Sequence, residues 1–281
     1  LDSTALQAVD LLSSSLHGML TSGAMPWFHL DLKEENLGRD DDVKEWLQDT
    51  SMRMMRAFNQ SNFGTEVHEM YVDLVVFGTG CMFVEMEEDA LRFSTRHISE
   101  FYVQENQFGI VDTVFRSYKS PARQVVQRFG QENVTEYIMK KFQDKPDEDI
   151  ELLHIVMPRE DRDSEKIDNK NMPFASIYID MESSSMLSES GFQEFPYIVP
   201  RFLKATGEIM GRSPAMVALP DVKMLNLMSK TIIQAAQKQI DPPLLVPDDG
   251  FLLPIRTQPG GLNFFRSGTR DTITPLNTGA N

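Results

Sequence analysis

The stretch that most limits how this chain can fold runs from Ser213 to Asp241, with proline close to both ends. Ser213 is a good helix N-cap, and Pro214 suits the first turn, where its missing N–H would have no partner in any case. At the far end Asp241-Pro242-Pro243 stops the pattern, because a residue before proline resists helical geometry. The spacing predicts a helix about 40 Å long if it is continuous. Pro220 lies inside it and deletes one backbone hydrogen bond, which predicts a bend or break and makes Pro220 the expected hinge.

Beyond Asp221 the helical wheel separates. Lys223, Asn226, Lys230, Gln234, Gln237, Lys238 and Asp241 share one stripe, while Val222, Met224, Leu225, Met228, Ile232, Ile233, Ala235, Ala236 and Ile240 cover about half the circumference opposite. Periodicity leaves two readings open. The apolar face packs on the chain's own core, or it packs against neighbouring subunits while the narrow stripe faces water.

The rest of the chain alternates helical and extended blocks. "LDSTALQAVDLLSSSL" predicts a helix capped by Asp2 or Ser3 with Ala5, Val9, Leu12 and Leu16 on one stripe. "AMPWFHLDL" reads as a strand, followed by helices from Asp41 or Asp42 and from a Thr65 cap to Gly78. "GTGCMFVEMEEDALRFSTRHI" and "FYVQENQFGIVDTVFRSY" read as hairpins. A short helix follows with Ser120 as cap, Pro121 first and Gly130 last, then a second near "ENVTEYIMKKF". "IELLHIVMPRE", "FASIYIDME" and "EFPYIVPRFL" are expected strands, with "SSSMLSESG" as a connection. The fold class is α+β, with helices and antiparallel hairpins in separate blocks.

Composition removes several function classes. No run of about 18 apolar residues occurs, so no membrane span is expected. The acidic start has no basic n-region, which speaks against a secretory signal. Cys81 is the single cysteine, so neither an intrachain disulfide nor a thiolate metal cage is possible, and a reducing compartment or a virion fits. The net charge of −15 does not suit a basic grip on nucleic acid. The charge is uneven: seven Lys/Arg and five acids give residues 212–281 a net +2, which leaves −17 on the first 211 residues.

Catalytic candidates each lack a second component. "GTGCMF" follows a helix and precedes a strand, the reverse of a phosphate-binding glycine loop, and reads as a tight turn. His17, His29, His68, His97 and His154 form no zinc-type spacing. Asp180 and Glu182 would share a strand face as a paired-carboxylate site requires, which leaves a hydrolase as the alternative reading. Ser185 and Ser188 lack nucleophile-elbow glycines, and Cys81 has no base nearby in sequence. No catalytic residue, cofactor site or metal site is expected.

The long helix with its flanks, "GRSPAMVALPDVKMLNLMSKTIIQAAQKQIDPPLLVPDDG", closely resembles the portal, or head-to-tail connecting, proteins of short-tailed bacteriophages. The resemblance recurs in "STRHISEFYVQENQFGIVDTVFRSYKSPARQVVQRFG", "MPFASIYIDMESSSMLSESGFQEFPYIVPRF" and "PGGLNFFRSGT", in order along most of the chain. It implies a structural protein forming a homo-oligomeric ring, usually of twelve copies, at one capsid vertex of the virion, assembled in the host cytoplasm. Double-stranded DNA would pass through non-specifically, and the partners would be terminase, major capsid protein and tail adaptor proteins; a monomeric adaptor is a further alternative.

The implied fold has a mixed wing, a helical stem and a small β-rich clip. Residues 1–120 would be wing-like, 121–149 the helical route into the stem, 150–210 clip-like and 211–242 the stem helix. Residues 243–281 would return to the wing and a channel loop, in a chain shorter than its family. The stem assignment makes Lys223, Asn226, Lys230, Gln234 and Lys238 the expected channel-facing residues. Met224, Met228, Ile232, Ile233 and Ala236 become the expected subunit contact.

Overall fold

The computed structural model describes residues 2–33, 40–87, 90–163, 165–166 and 168–242, with short pieces at 244–245, 254, 264 and 273–275. The fold is α+β, and it divides into a compact unit of residues 6–218 and a second unit of 1–5 with 219–281.

Three helices open the chain: α1 (Thr4–Leu20), α2 (Asp41–Gln60) and α3 (Phe63–Phe77). The Asp2 carboxylate accepts from Thr4 N at 2.9 Å, and Asp40 accepts from Asp42 N at 3.0 Å. Acids at these starts also suit the positive end of the helix dipole. α3 begins at Phe63 rather than after a Thr65 cap. The Asn62 side chain preceding it is engaged elsewhere, accepting from Phe93 N at 2.9 Å and donating to Phe93 O at 2.8 Å.

The strand expected in "AMPWFHLDL" does not form. Among the described residues no strand pairs with it, and its aromatic residues are held by ring contacts instead of a ladder. Trp27 stacks on Phe63 with centroids 5.8 Å apart, Phe28 meets Phe58 edge-on, and Leu30 N donates to Ser51 Oγ at 3.0 Å.

After Gly78 the chain forms β1 (Met82–Glu87), β2 (Ala90–Thr95), β3 (Phe101–Glu105) and β4 (Val111–Pro121). Helices α4 (Ala122–Phe129) and α5 (Glu136–Asp144) then lead to β5 (Asp149–Pro158), β6 (Phe174–Asp180), β7 (Ser185–Phe192) and the two-residue β8 (Tyr197–Ile198). Strands β3 to β7 form a five-stranded antiparallel sheet in sequential order, while β2-β1-β8 form a smaller one. The sequence divisions at 120/121 and 149/150 thus fall inside a single sheet.

Two sequence expectations fail here. Ser120 is not a helix cap: β4 pairs with β5 as far as Pro121↔Asp149, so α4 starts at Ala122 and the Ser120 hydroxyl donates to Gln124 instead. The serine-rich "SSSMLSESG" is not a connection, because most of it is β7, paired with β6 from Phe174↔Phe192 to Asp180↔Ser185. Serine is tolerated because β7 is an edge strand with a ladder on one side only.

The core follows the apolar spacing. Ala122, Val125 and Val126 of α4 and Ile138 of α5 close over Ile150, Leu152 and Leu187 of the sheet. Phe83, Phe101, Val114, Val156 and Tyr197 form a second cluster. Val67, Met70, Tyr71 and Leu74 of α3 bury against Met82 and Phe93 in a third.

The long helix α6 (Pro214–Ile240) is tied to the end of α3 by a backbone clamp. Gly78 closes α3 in the left-handed region at φ 80°, a conformation with no steric cost for glycine. Gly211 packs against it so closely that a Cβ built on Gly211 would lie 2.1 Å from the Gly78 carbonyl oxygen. Around this contact Gly211 N donates to the buried Thr79 Oγ1 at 2.7 Å, and Phe202 N donates to Gly78 O at 2.9 Å. Ser213 then caps α6 as expected, accepting from Met216 N at 2.9 Å while its hydroxyl donates to Val76 O at 2.8 Å.

Gly211→Ala should therefore destabilise the fold by more than about 2 kcal/mol, as measured by urea unfolding, since the clash is with backbone that cannot move aside cheaply. Gly18→Ala, in a helix and with open space around it, should be neutral or stabilise by up to about 1 kcal/mol. Equal midpoints for wild type and Gly211→Ala would show that the clamp is loose.

Candidate functional site

The helix α6 runs through Pro220 without a break and ends at Ile240, one residue before the Asp241-Pro242 stop. None of its residues is buried. On the apolar half Met224 is 53%, Met228 52%, Ile232 68% and Ile233 44% exposed, and Ala236 is exposed beside them. The structure thus brings these five expected contact residues together on one uncovered face.

On the polar stripe Lys223, Lys230, Gln234 and Lys238 are exposed. Asn226 differs. It is half-buried, accepts from Asp2 N at 3.2 Å and donates to Val222 O at 3.1 Å, and Ser229 Oγ donates to the Asp2 carboxylate at 3.3 Å. One member of the stripe therefore holds the start of the chain. Residues 243–281 lie outside the described residues, apart from short pieces such as Leu244–Leu245 pairing with Thr274–Pro275.

Asp180 and Glu182 do not form a paired-carboxylate face, which corrects the strand placement of the pair. β6 ends at Asp180, and the chain turns through 181–184 with Ser184 at φ 54°. The buried Asp180 carboxylate organises that turn, accepting from Glu182 N at 3.1 Å and from the Ser183 hydroxyl. Glu182 is exposed, accepts from Tyr137 Oη and lies 3.7 Å from Lys141 Nζ. Their geometry is that of a turn.

The most unusual polar environment lies under the large sheet. His154 of β5 is buried, with Nδ1 hydrogen-bonded to Tyr197 Oη at 3.1 Å and Nε2 to Ser176 Oγ at 3.0 Å. Its ring stacks on Tyr178 at 4.0 Å and 3°, and Arg128 Nη2 donates to Tyr178 Oη at 2.8 Å. Burial, reinforced by Arg128, Arg116 and Arg96, pulls the His154 pKa down to about 3, so the ring is neutral. Cys81 is wholly buried, and burial pushes its thiol up to about 12, which makes it inert as a nucleophile.

Residues 1–280 match the family described as bacteriophage head to tail connecting protein. The chain belongs to that family. It is 36% identical to the portal protein of Salmonella phage epsilon15 over 252 residues, covering 88% of this chain and 45% of the relative. It is 32% identical to the probable portal protein of Bordetella phage BPP-1 over 268 residues, covering 94% of this chain and 48% of the relative. The chain spans about half the length of these curated relatives.

What sequence reasoning missed in this head-to-tail connecting chain is the arginine set around His154. Arg96 follows β2, Arg116 lies on β4 and Arg128 on α4, at no motif spacing, so only the fold assembles them. The one available signal was Arg116 and Tyr118 at strand spacing on β4, which places them on the same face.

A buried neutral histidine has a consequence for acid stability. Its folded pKa of about 3 lies below the ordinary 6.5, so the stability it contributes is complete above pH 6.5 and is lost as pH falls towards 3. In urea unfolding from pH 7 to 5, wild type should lose up to about 1.4 kcal/mol per pH unit from this group. His154→Gln should be less stable at pH 7 but show a shallower decline. Parallel declines would mean that His154 is not the group responsible.

Proposed function

We propose that this chain is part of a phage portal: a structural, non-enzymatic protein that assembles into a ring at one capsid vertex of the virion. The observation that carries this reading is the family match along residues 1–280. Both relatives named above are portal or probable portal proteins, and on this reading double-stranded DNA passes through the ring, with terminase, capsid and tail adaptor proteins as its partners. The helix α6 supplies a physical means of assembly. Soluble chains rarely leave a contiguous apolar face uncovered, and Met224, Met228, Ile232 and Ile233 form one.

On this reading residues 211–242 are the stem helix, with Pro220 as its hinge and residues 243–281 returning towards wing and channel. Lys223, Lys230 and Lys238 would then recur in every copy as stacked positive rings facing DNA. An acidic body suits a channel that must let DNA move, since each added phosphate contact increases affinity through counterion release.

Ile232→Asp places an unpaired charge in the proposed subunit contact, a costly burial. Rings seen by electron microscopy should be lost, while the helix content of the dispersed chains stays close to that of wild type. Normal rings from this variant would mean that the face packs elsewhere. Lys230→Glu changes an exposed position and should leave folding and rings intact while altering DNA retention, most visibly at low salt, since screening acts within about 10 Å at 0.1 M. DNA retention unchanged across a salt series, with intact rings, would place the lysines on the ring exterior.

A further inference from the structure

The acidic chain contains one pocket with the opposite character. About 400 Å³ in volume, it lies between β4 and α4 and is lined by Arg96, Arg116, Tyr118, Gln124, Arg128 and Phe129 among others, with no carboxylate among its described lining residues. The guanidinium groups are unequally satisfied. Arg116 is paired with Glu100 at 2.9 Å and lies 3.9 Å over the Tyr118 ring. Arg128 has an ion pair with none of the described residues; its contacts are Tyr178 Oη and the Tyr178 and Phe129 rings. The Nε of Arg96 is buried without any hydrogen-bond partner.

Arg96, Arg116, Arg128 and the exposed Lys119 all line this pocket in a chain of net −15, and among the described residues Glu100 is the carboxylate that pairs with one of them, Arg116. Of these Arg96 is half-buried with its Nε fully buried, and burying such a charge without a counter-ion is costly. Burial, followed by repulsion from Arg116, pulls the Arg96 pKa below its usual range. A buried donor with no acceptor, beside two more guanidinium groups, is the arrangement an incoming oxyanion would complete.

We propose that this arginine pocket binds a phosphate group. A phosphate at neutral pH carries about −1.5 to −2 charge and three strong acceptor oxygens, which suits a cluster of cations better than a single carboxylate does. Guanidinium forks suit that geometry. The volume admits one small group and excludes a duplex. Tyr118 and Phe129 at the wall give a non-phosphate portion an aromatic face. The inference is independent of the ring reading, because every residue used lies within the compact unit 6–218.

The experiment is calorimetric titration of the whole chain, in HEPES at pH 7.5, with inorganic phosphate, a 5′-nucleoside monophosphate or acetate. The expected result is saturable one-site phosphate binding and none with acetate. Arg128→Gln should weaken it at least about tenfold, the scale of one lost charge-assisted hydrogen bond. Arg96→Gln should do the same, and because Arg128 is exposed its variant keeps the test decisive if Arg96→Gln fails to fold. Lys140→Gln, exposed and outside the pocket, should bind as wild type does. A nucleotide that competes and binds more tightly identifies a phosphate monoester as the source, and equal affinity identifies free phosphate; both support the pocket. No saturable binding up to about 10 mM, acetate binding as well as phosphate, or an unchanged Arg128→Gln would overturn it.

Discussion

The approach of Gly78 to Gly211 is the constraint on which the arrangement of residues 6–218 depends. It brings the end of α3 against the segment leading to α6, two places more than 130 residues apart, at a distance no side chain permits. Its neighbours are backbone hydrogen bonds rather than apolar packing: Gly80 N to Pro200 O, Phe202 N to Gly78 O and Arg212 N to Leu203 O. Such bonds fix direction as well as proximity, so Ser213 meets Val76 O and caps α6 in one geometry. The short strand β8 belongs to the same construction, because its pairing with β1 carries the chain back to α3. A second fixture is electrostatic. Glu105, at the end of β3, receives both Arg201 and Lys204 and holds the same returning segment to the large sheet.

Much of this was legible in the sequence where local rules act alone. The Ser213-Pro214 start, the Asp241-Pro242 stop, the glycine turn after α3 and the hairpin around Asn106 to Gly109 are each set within a few residues. The errors came where a distant partner decides. β7 is a strand because β6 is there to pair with it, although its own composition favours a turn. Trp27 and Phe28 look like strand residues, yet the rings of Phe58 and Phe63 hold them without any ladder. Asp180 and Glu182 carry strand spacing on paper, but the Asp180 side chain ends the strand by accepting from the next turn's N–H.

The candidate site divides along the same line. Both faces of α6 could be read from a helical wheel, since period and polarity suffice. Its lack of burial within the chain could not, and neither could the use of Asn226 to hold Asp2. The arginine pocket was invisible for a related reason: it depends on the segment after β2 meeting β4 and α4, and on a wall with no carboxylate among its described lining residues.

The sequential order of the large sheet bears on how the chain is made. Each strand from β4 to β7 pairs with the strand before it, so the sheet is built from contacts of modest sequence separation, the kind that form quickly. It can be complete once synthesis has passed Phe192, whereas α6 has its clamp only after Gly211 and its capping serine only after that. During vectorial synthesis the Met and Ile face of α6 thus emerges after the whole segment that builds the large sheet.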